Sequence, residues 1–178
     1  MKKLVWAPFF ITLLIAQDNN LIFSEYAEGT GNNKYLEIYN GTGSNVDLSN
    51  YALVRYNNGS TTVENLYPLS GSLTNGEVYV IANSQADPTG ILPYNDDDGS
   101  SMTVTYYNGD DYLGLIQDSN NDGVFDNSSE VIDVIGVLGE DPGSGWDVAG
   151  TSAATAEHTL VRKSTITSGN INWSAFAG

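Results

Sequence analysis

The chain has 178 residues, no cysteine, and 22 acidic side chains against 6 basic ones, which gives a formal net charge of −16. The lack of cysteine excludes a disulfide framework, thiol catalysis and zinc–thiolate sites. The negative charge repels phosphate groups, so neither nucleic acid nor an anionic membrane surface is an expected partner. The 19 glycines, together with the lack of a sustained 3.6-residue apolar stripe, favour a β-protein.

The N-terminus has the pattern of a secretory signal. Met1-Lys2-Lys3 is followed by residues 4–16, which are apolar except for Thr12, and then by polar residues 17–20. The apolar stretch is shorter than the roughly 18 residues that indicate a membrane helix, so an uncleaved anchor is the less favoured alternative. We predict a signal peptide over residues 1–16 and one domain over residues 17–178. The protein is then secreted or on the cell surface, with no membrane insertion after signal removal.

Short alternating or aromatic-rich runs, separated by clusters of Gly, Asn, Asp and Ser, follow along the rest of the chain. In one of these runs Tyr35, Glu37 and Tyr39 fall on one side of an extended strand. Leu36 and Ile38 fall on the other side, as expected when that side packs inward. Regularly spaced short strands are typical of a β-sandwich or barrel. Strands are predicted at residues 21–26, 34–39, 51–56, 63–66, 77–82, 102–107, 112–117, 131–137 and 158–163.

Two acidic turns lie between predicted strands, one at residues 96–98 and one at Asp110 and Asp111. Clustered carboxylates repel one another unless a cation lies between them. Solvated loops are the favoured interpretation, and a second cation site is the alternative. Asp110 and Asp111 are the better candidates for such a site because they are close in sequence to the next acidic loop.

That loop, residues 118–126, reads Asp-Ser-Asn-Asn-Asp-Gly-Val-Phe-Asp and has the spacing of a calcium-binding loop. Oxygen-bearing side chains occupy positions 1, 3, 5 and 9, and Gly123 at position 6 permits a sharp reversal. Calcium takes about six to eight oxygen ligands. The predicted ligands are the side chains of Asp118, Asn120, Asp122 and Asp126 and the carbonyl oxygen of Val124, with Glu130 or a carboxylate of a neighbouring loop completing the shell.

The loop does not fit an EF-hand. Ser129 occupies position 12, where an EF-hand has a bidentate glutamate, and the flanking segments are predicted strands rather than helices. We therefore predict a hairpin calcium loop that fixes the register of two strands, with a weak affinity of about 10⁻⁴–10⁻³ M. The alternative is an Asn/Asp/Gly turn that is solvated and binds no metal.

Aromatic side chains near the acidic loops leave two interpretations open. Trp146 and Trp173 lie among turn residues, where an indole either closes the end of a sandwich or lies exposed as a sugar platform. Closure of the sandwich is favoured. The same choice applies to Tyr94, Tyr106, Tyr107 and Tyr112, which either pack across strands or bind a glycan beside calcium.

Catalysis is not predicted. Paired carboxylates can hydrolyse glycosides, but in a chain this acidic some pair meets the required spacing by chance. No acidic cluster is flanked by a run that would form an apolar pocket. His158 is the only histidine, so a Ser-His-Asp arrangement or a multi-histidine metal site would depend on it. It begins a predicted strand, where a surface or capping role is favoured. Before it, the alanine-rich residues 151–157 are predicted to form one helical turn.

Several short, distinct pieces of the sequence form an ordered set along the chain. The longest read Asn-Lys-Tyr-Leu-Glu-Ile-Tyr-Asn at residues 33–40 and Leu-Thr-Asn-Gly-Glu-Val-Tyr-Val-Ile-Ala at residues 73–82. The others lie at residues 23–26, 46–51, 108–111, 131–136, 145–146 and 159–163. Their number, order and spacing resemble the lamin-tail domain, in its secreted bacterial form, from Leu21 to the end of the chain.

The resemblance implies an immunoglobulin-like β-sandwich with no established catalytic residues. In bacteria such domains are accessories of secreted or surface proteins, and in nuclear lamins the domain contacts protein and DNA. The strong negative charge of this chain argues against a DNA contact here.

These observations favour a non-enzymatic, secreted or cell-surface module of lamin-tail type that contacts a protein or cell-surface component and is stabilised by calcium. The alternative is a calcium-dependent carbohydrate-binding module that serves extracellular hydrolases. Aromatic rings lining a groove beside the cation would favour the glycan ligand, and fully buried rings would favour the protein contact. A small hydrolase is the third and least favoured interpretation.

Overall fold

The computed structural model describes residues 20–97 and 103–177. The predicted signal peptide, Asp98 and Met102 lie outside these residues. In the described parts the strands are β1 (Ile22–Glu28), β2 (Lys34–Tyr39), β3 (Val46–Asp47), β4 (Tyr51–Tyr56), β5 (Asn65–Pro68), β6 (Ser72–Leu73), β7 (Val78–Ala82), β8 (Tyr112–Gln117), β9 (Val131–Ile135) and β10 (His158–Val161). Short 3-10 helices occupy Leu48–Asn50 and Leu92–Tyr94, and the helix α1 occupies Trp173–Phe176.

Two four-stranded antiparallel sheets form the body of the domain. The strand order is β10-β1-β2-β7 in the first sheet and β5-β4-β8-β9 in the second, and β3 pairs with β6 in a separate ribbon. Aliphatic and aromatic side chains from both sheets meet in one core. The predicted all-β, immunoglobulin-like sandwich is therefore confirmed.

The alternation of β2 sets the direction of its side chains. Leu36 and Ile38 are fully buried against the second sheet, whereas Tyr35, Glu37 and Tyr39 point away from it and are partly exposed. Full burial of an aliphatic side chain of this size contributes about 1.5–3 kcal/mol to folding. The predicted inward and outward sides of this strand are confirmed.

The two sheets differ on their outer faces. Every residue of β4, in the middle of the second sheet, is buried, because a second apolar cluster covers that sheet from outside. Phe125 and Trp173 pack against this cluster. On the outer face of the first sheet, Glu25, Glu37, Val78 and Val80 remain partly or fully exposed. The first sheet therefore presents the open face of the domain.

The predicted strand at residues 102–107 is wrong. Residues 103–105 form a turn, and the segment sends Val104 and Tyr107 into the core. The hydroxyl of Tyr107 lies 2.7 Å from the carbonyl oxygen of Ala27 and 2.8 Å from that of Tyr35. The segment thus fills the core with side chains three residues apart and does not add its backbone to a sheet. The sequence pattern alone could not distinguish such a segment from a strand.

The predicted helical turn at residues 151–157 is also wrong. Ala153 and Glu157 have φ values of +48° and +55°, which a right-handed helix excludes. Thr155 is buried instead, and its hydroxyl donates to the carbonyl oxygen of Gly109 at 2.6 Å. The segment is an irregular loop held by this contact.

Other boundaries moved by a few residues. The strand predicted at 63–66 lies at Asn65–Pro68, and those predicted to end at residues 137 and 163 end at Ile135 and Val161. The ribbon of β3 and β6 and the helix α1 were not predicted. Each is only two to four residues long, too short for a periodic pattern.

Buried salt bridges hold the loops and sheets in place. In the described residues they are Lys34–Glu28 at 2.9 Å, Arg55–Asp111 at 3.3 Å and Arg162–Asp133 at 2.7 Å. Buried pairs of this kind strongly destabilise a fold when one partner is removed, since the other charge is left without compensation.

The third of these pairs joins the two sheets. Asp133 lies on β9 of the second sheet, is fully buried, and accepts a hydrogen bond from the backbone N–H of Phe23 on β1 at 2.8 Å. Arg162 follows β10 and also donates to the carbonyl oxygen of Phe23 at 2.6 Å. Burial raises the pKa of Asp133, and the charge of Arg162 opposes that rise. The pair therefore fastens one end of the sandwich.

Candidate binding face

The open face of the first sheet carries acidic, aromatic and aliphatic side chains in rows that cross the strands. Glu25 of β1 lies opposite Glu37 of β2, and Glu37 lies opposite Val80 of β7. In the neighbouring rows Tyr35 and Tyr39 occupy the same side of β2. Like charges directly opposite each other on adjacent strands are destabilising. The Glu25–Glu37 pair therefore does not stabilise the isolated fold.

A loop beside β7 forms a wall along this face. The N–H groups of Val80 and Ala82 donate to the side chains of Asp96 at 2.8 Å and Asn95 at 2.9 Å, and the N–H of Asp96 returns a bond to the carbonyl oxygen of Val80 at 2.9 Å. These bonds give partners to the backbone N–H and C=O groups at the edge of the sheet, which would otherwise be exposed and unpaired. Tyr94, just before this point, is 71% exposed. The wall thus fixes an aromatic ring at the rim of the sheet.

An open groove of about 760 Å³ lies between this wall and the outer face of the sheet. Carboxylates and tyrosine rings line much of it. They belong to Glu25, Glu37, Glu77, Asp96, Tyr35 and Tyr94.

The hydrogen bonds inside the groove come from neutral donors. The hydroxyl of Tyr35 donates to Glu25 at 2.9 Å, and that of Ser24 donates to Glu37 at 2.6 Å. Burial, together with the hydrogen bond to Glu25, raises the pKa of Tyr35 to about 12. These hydroxyl groups stabilise the carboxylates by hydrogen bonding but do not neutralise their negative charge.

Most basic side chains of the described residues are held inside the fold. Three of them, Lys34, Arg55 and Arg162, are held in the buried salt bridges. Lys163 is exposed and follows Arg162 at the β10 edge of the first sheet, where it lines a second pocket together with Glu25. No salt bridge within the described residues reaches the carboxylates of the groove. The face is acidic because the fold uses its cations inside.

The loop predicted to bind calcium connects β8 and β9. Asp118 is buried, and its two carboxylate oxygens accept hydrogen bonds from the N–H groups of Asp122 at 3.1 Å and Gly123 at 2.9 Å. Asn120 also accepts from the N–H of Asp122, at 2.8 Å, and Asp122 accepts from that of Val124, at 2.8 Å. Gly123 has a φ of +78°, as its position in the sharp reversal requires. Side-chain oxygens thus close the first half of the loop.

Glu130 closes the second half. It is buried, and it accepts hydrogen bonds from the N–H groups of Ser119 at 3.0 Å and Asp126 at 3.1 Å. Asp126 in turn accepts from the N–H of Ser128 at 2.8 Å. The hydrogen bonds from Ser128 and Ser129 lower the pKa of Asp126.

The structure therefore places the predicted calcium ligands in one hydrogen-bonded loop. Among the described residues, no group of three or more His, Cys, Asp or Glu side chains is arranged to hold a metal ion. The oxygen donors are nevertheless of the kind that calcium prefers, and a carboxylate oxygen that accepts one hydrogen bond keeps a second lone pair. The calcium site stays a prediction.

The two aspartates of the Asp110–Asp111 turn have different environments. Asp111 is buried, forms the salt bridge with Arg55, and accepts a hydrogen bond from the N–H of Asn58 at 3.1 Å. Asp110 is only partly exposed; burial raises its pKa, and the charge of Asp111 adds to the rise. Asp111 therefore has a structural cation partner in Arg55. A solvated turn stays the favoured prediction here and at residues 96–98, with a second cation site as the alternative.

Three of the six rings considered as a glycan platform are buried, Trp173 is partly buried, and Tyr94 and Tyr106 are exposed. Tyr107, Tyr112 and Trp146 have exposures of 0%, 6% and 7%, whereas Tyr106 is 36% exposed. Trp146 packs so closely on Gly136 that a Cβ at that position would lie 2.6 Å from the indole nitrogen. Trp146 thus closes the core, as the favoured interpretation predicted.

The side chain of His158 is exposed at the start of β10. Its Nδ1 lies 2.6 Å from the carbonyl oxygen of Ala156. Within the described parts of the chain, no serine or aspartate forms a hydrogen bond with the ring.

The two antiparallel sheets packed on one core define an immunoglobulin-like module. The family model of the Lamin Tail Domain matches residues 15–138, more than half of the chain. The chain therefore belongs to the lamin tail domain family, as its sequence pieces indicated. No curated protein matches it at a significant level of similarity. In the described residues, helices long and apolar enough to cross a membrane do not occur.

Only part of this face could be predicted from the sequence. Alternation along β2 placed Tyr35 and Glu37 outward, but Glu25 and Val80 were not recognised as their neighbours. The strand order β1-β2-β7 brings them together, and a single sequence does not reveal that order. The alternation of residues 77–82 was the one available signal for β7.

Proposed function

We propose that this protein is a non-catalytic, secreted or cell-surface module that contacts other proteins through the open face of the first sheet. The observation that carries the proposal is the exposed groove beside β7, with its mixture of carboxylates, tyrosine rings and aliphatic side chains. Aromatic residues beside a polar rim are common in protein contact surfaces. The N-terminal signal pattern supports export, and membership of the lamin tail domain family supports a binding role.

The buried loop aromatics favour this function over the alternative carbohydrate-binding module. A sugar platform needs exposed ring faces, and Tyr107, Tyr112 and Trp146 are each less than 10% exposed. The exposed ring of Tyr94 belongs to the sheet groove and lies apart in sequence from the predicted calcium loop.

The binding role predicts selective loss of peptide binding when the face is altered. We expect the protein to bind members of a peptide array, and the double variant Val78→Ala/Tyr94→Ala to lose most of that signal. Both side chains are well exposed, at 39% and 71%, so the fold should persist. Leu66→Ala, at a similarly exposed position in the second sheet, is the matched control. Binding to a glycan array, or peptide binding unchanged in the double variant, would contradict the proposal.

We further propose that calcium stabilises the loop between β8 and β9. The ligands would be the six groups predicted from the sequence, of which Asp118 and Glu130 are already buried at the two ends of the loop. A bound divalent cation would supply positive charge to a domain with a large negative charge, and would hold the two strands in register.

Calcium at tenfold its dissociation constant should stabilise the fold by about 1.4 kcal/mol, which raises the melting temperature by about 3–6 °C. Asp122→Asn keeps the hydrogen bond to Val124 but removes a charge, so its response to calcium should be much smaller. Asp87→Asn, in another exposed turn closed by an aspartate, should respond as the wild type does. Identical melting curves in calcium and in chelator, with no heat of binding in calorimetry, would refute the calcium loop.

A further inference from the structure

We infer that the open face of the first sheet binds a lysine- or arginine-containing extended peptide segment of a partner protein. The inference rests on the proposed function and names the chemistry of the partner. It follows from three features of the face: a like-charge pair, neighbouring aromatic rings, and the absence of a basic partner for the carboxylates among the described residues.

The like-charge pair provides the recognition point. Glu25 and Glu37 face each other across β1 and β2, and side chains at such positions have Cβ atoms about 4.5–5.5 Å apart. One ammonium or guanidinium group placed between them reaches both carboxylates. The pair disfavours the isolated sheet and favours the complex, because a bound cation removes the repulsion between the two carboxylates.

The surroundings favour a peptide over a small cation. The groove, at about 760 Å³, has room for several side chains. Tyr35 and Tyr94 offer ring surfaces to a cation and to the aliphatic stem of a lysine or arginine. Val78 and Val80 supply apolar contact area in the same groove. Glu77 and Asp96 add negative charge along its length, so that a segment with more than one basic residue is matched.

Among the described residues, no basic side chain forms a salt bridge with these carboxylates, although the exposed Lys163 lines a neighbouring pocket together with Glu25. The side chains of Lys34, Arg55 and Arg162 are engaged in buried pairs, so none of them can swing onto the face without breaking its own salt bridge. The charge of the groove is therefore available to a partner.

Titration calorimetry with a short peptide in which lysine alternates with alanine tests the inference. We expect Glu25→Gln/Glu37→Gln to weaken binding about tenfold. The same double variant should melt up to about 4 °C higher than wild type, because the like-charge pair is gone. A merely structural role of the two glutamates would not produce opposite changes in binding and stability.

The control separates recognition from the general attraction of an acidic protein for any polycation. Glu64→Gln/Glu140→Gln removes the same charge from exposed positions outside the groove and should change the affinity little. Equal weakening in both double variants, or no binding by the wild type, would overturn the inference. If the wild type binds equally well to a peptide whose lysines are acetylated, the inference is wrong while the proposed peptide-binding function stands.

Discussion

Arg162→Leu should lower the free energy of unfolding by about 3–5 kcal/mol. In a domain of this size that corresponds to a fall in melting temperature of about 6–20 °C. The reason is the position of Asp133, which is fully buried between the sheets and would lose its only salt-bridge partner among the described residues. The hydrogen bonds from Phe23 and Asn170 would remain, but neither donor carries a charge. Chemical denaturation of both proteins measures the difference.

The loss should depend on pH with a defined sign. Burial already raises the pKa of Asp133 in the wild type, and removal of Arg162 raises it further. Because the folded variant then binds a proton more readily than the unfolded chain, its stability relative to wild type should improve as the pH falls from neutrality toward about 4. Lys163→Leu removes the neighbouring, exposed cation and should change stability by less than about 0.5 kcal/mol. Equal effects of the two substitutions would show that the Arg162–Asp133 salt bridge does not hold the two sheets together.

Lys34→Met should cost a similar amount, again about 3–5 kcal/mol. The ammonium group of Lys34 lies 2.9 Å from Glu28 and donates to the carbonyl oxygen of Tyr107 at 2.6 Å. Glu28 also accepts a hydrogen bond from the N–H of Glu157 at 2.6 Å. Loss of the cation would therefore leave a buried carboxylate uncompensated and loosen two loops that close one end of the sandwich.

A double-mutant cycle isolates this pair. Glu28→Gln/Lys34→Met leaves no buried charge at the site, so it should be more stable than Lys34→Met alone. Lys163→Met is the matched control for loss of a lysine. If Lys34→Met has the same melting temperature as Lys163→Met, the Lys34–Glu28 pair contributes little to stability. Tyr107 and Thr155 then hold the loops instead.

The features that could be predicted from the sequence depend on neighbours in the chain. Alternation along residues 34–39 is a local property, so both the strand and its inward side were correct. The strands on either side of the predicted calcium loop were correct for the same reason, as β8 and β9 show. The immunoglobulin-like fold came from the resemblance and the ordered pieces, and the family match confirms it.

What could not be predicted depends on contacts between distant residues. Tyrosine is a residue type that favours strands, but the hydroxyl of Tyr107 donates to carbonyl groups some 70 to 80 positions earlier in the chain. The environment of Asp133 is set by Phe23 and Arg162 on the opposite sheet. The groove likewise exists only after β1, β2 and β7 pair in that order and the loop before Asp96 folds against the edge.

The locations of the basic side chains connect stability with function. Lys34, Arg55 and Arg162 each neutralise a buried carboxylate, so removing any of them weakens the fold. The same placement leaves the outer carboxylates of the first sheet without internal cations in the described residues. The acidity of the face therefore follows from how the core is built, and it makes a basic partner the one of matching charge.

Nuclear magnetic resonance of the labelled protein, titrated with the lysine–alanine peptide, tests the binding face most directly. We expect the largest amide shifts at Glu25, Tyr35, Glu37 and Val80 and at Tyr94 and Asp96 of the wall. Amide shifts concentrated in the acidic loop between β8 and β9, or spread evenly over all exposed acidic residues, would contradict the proposed binding face.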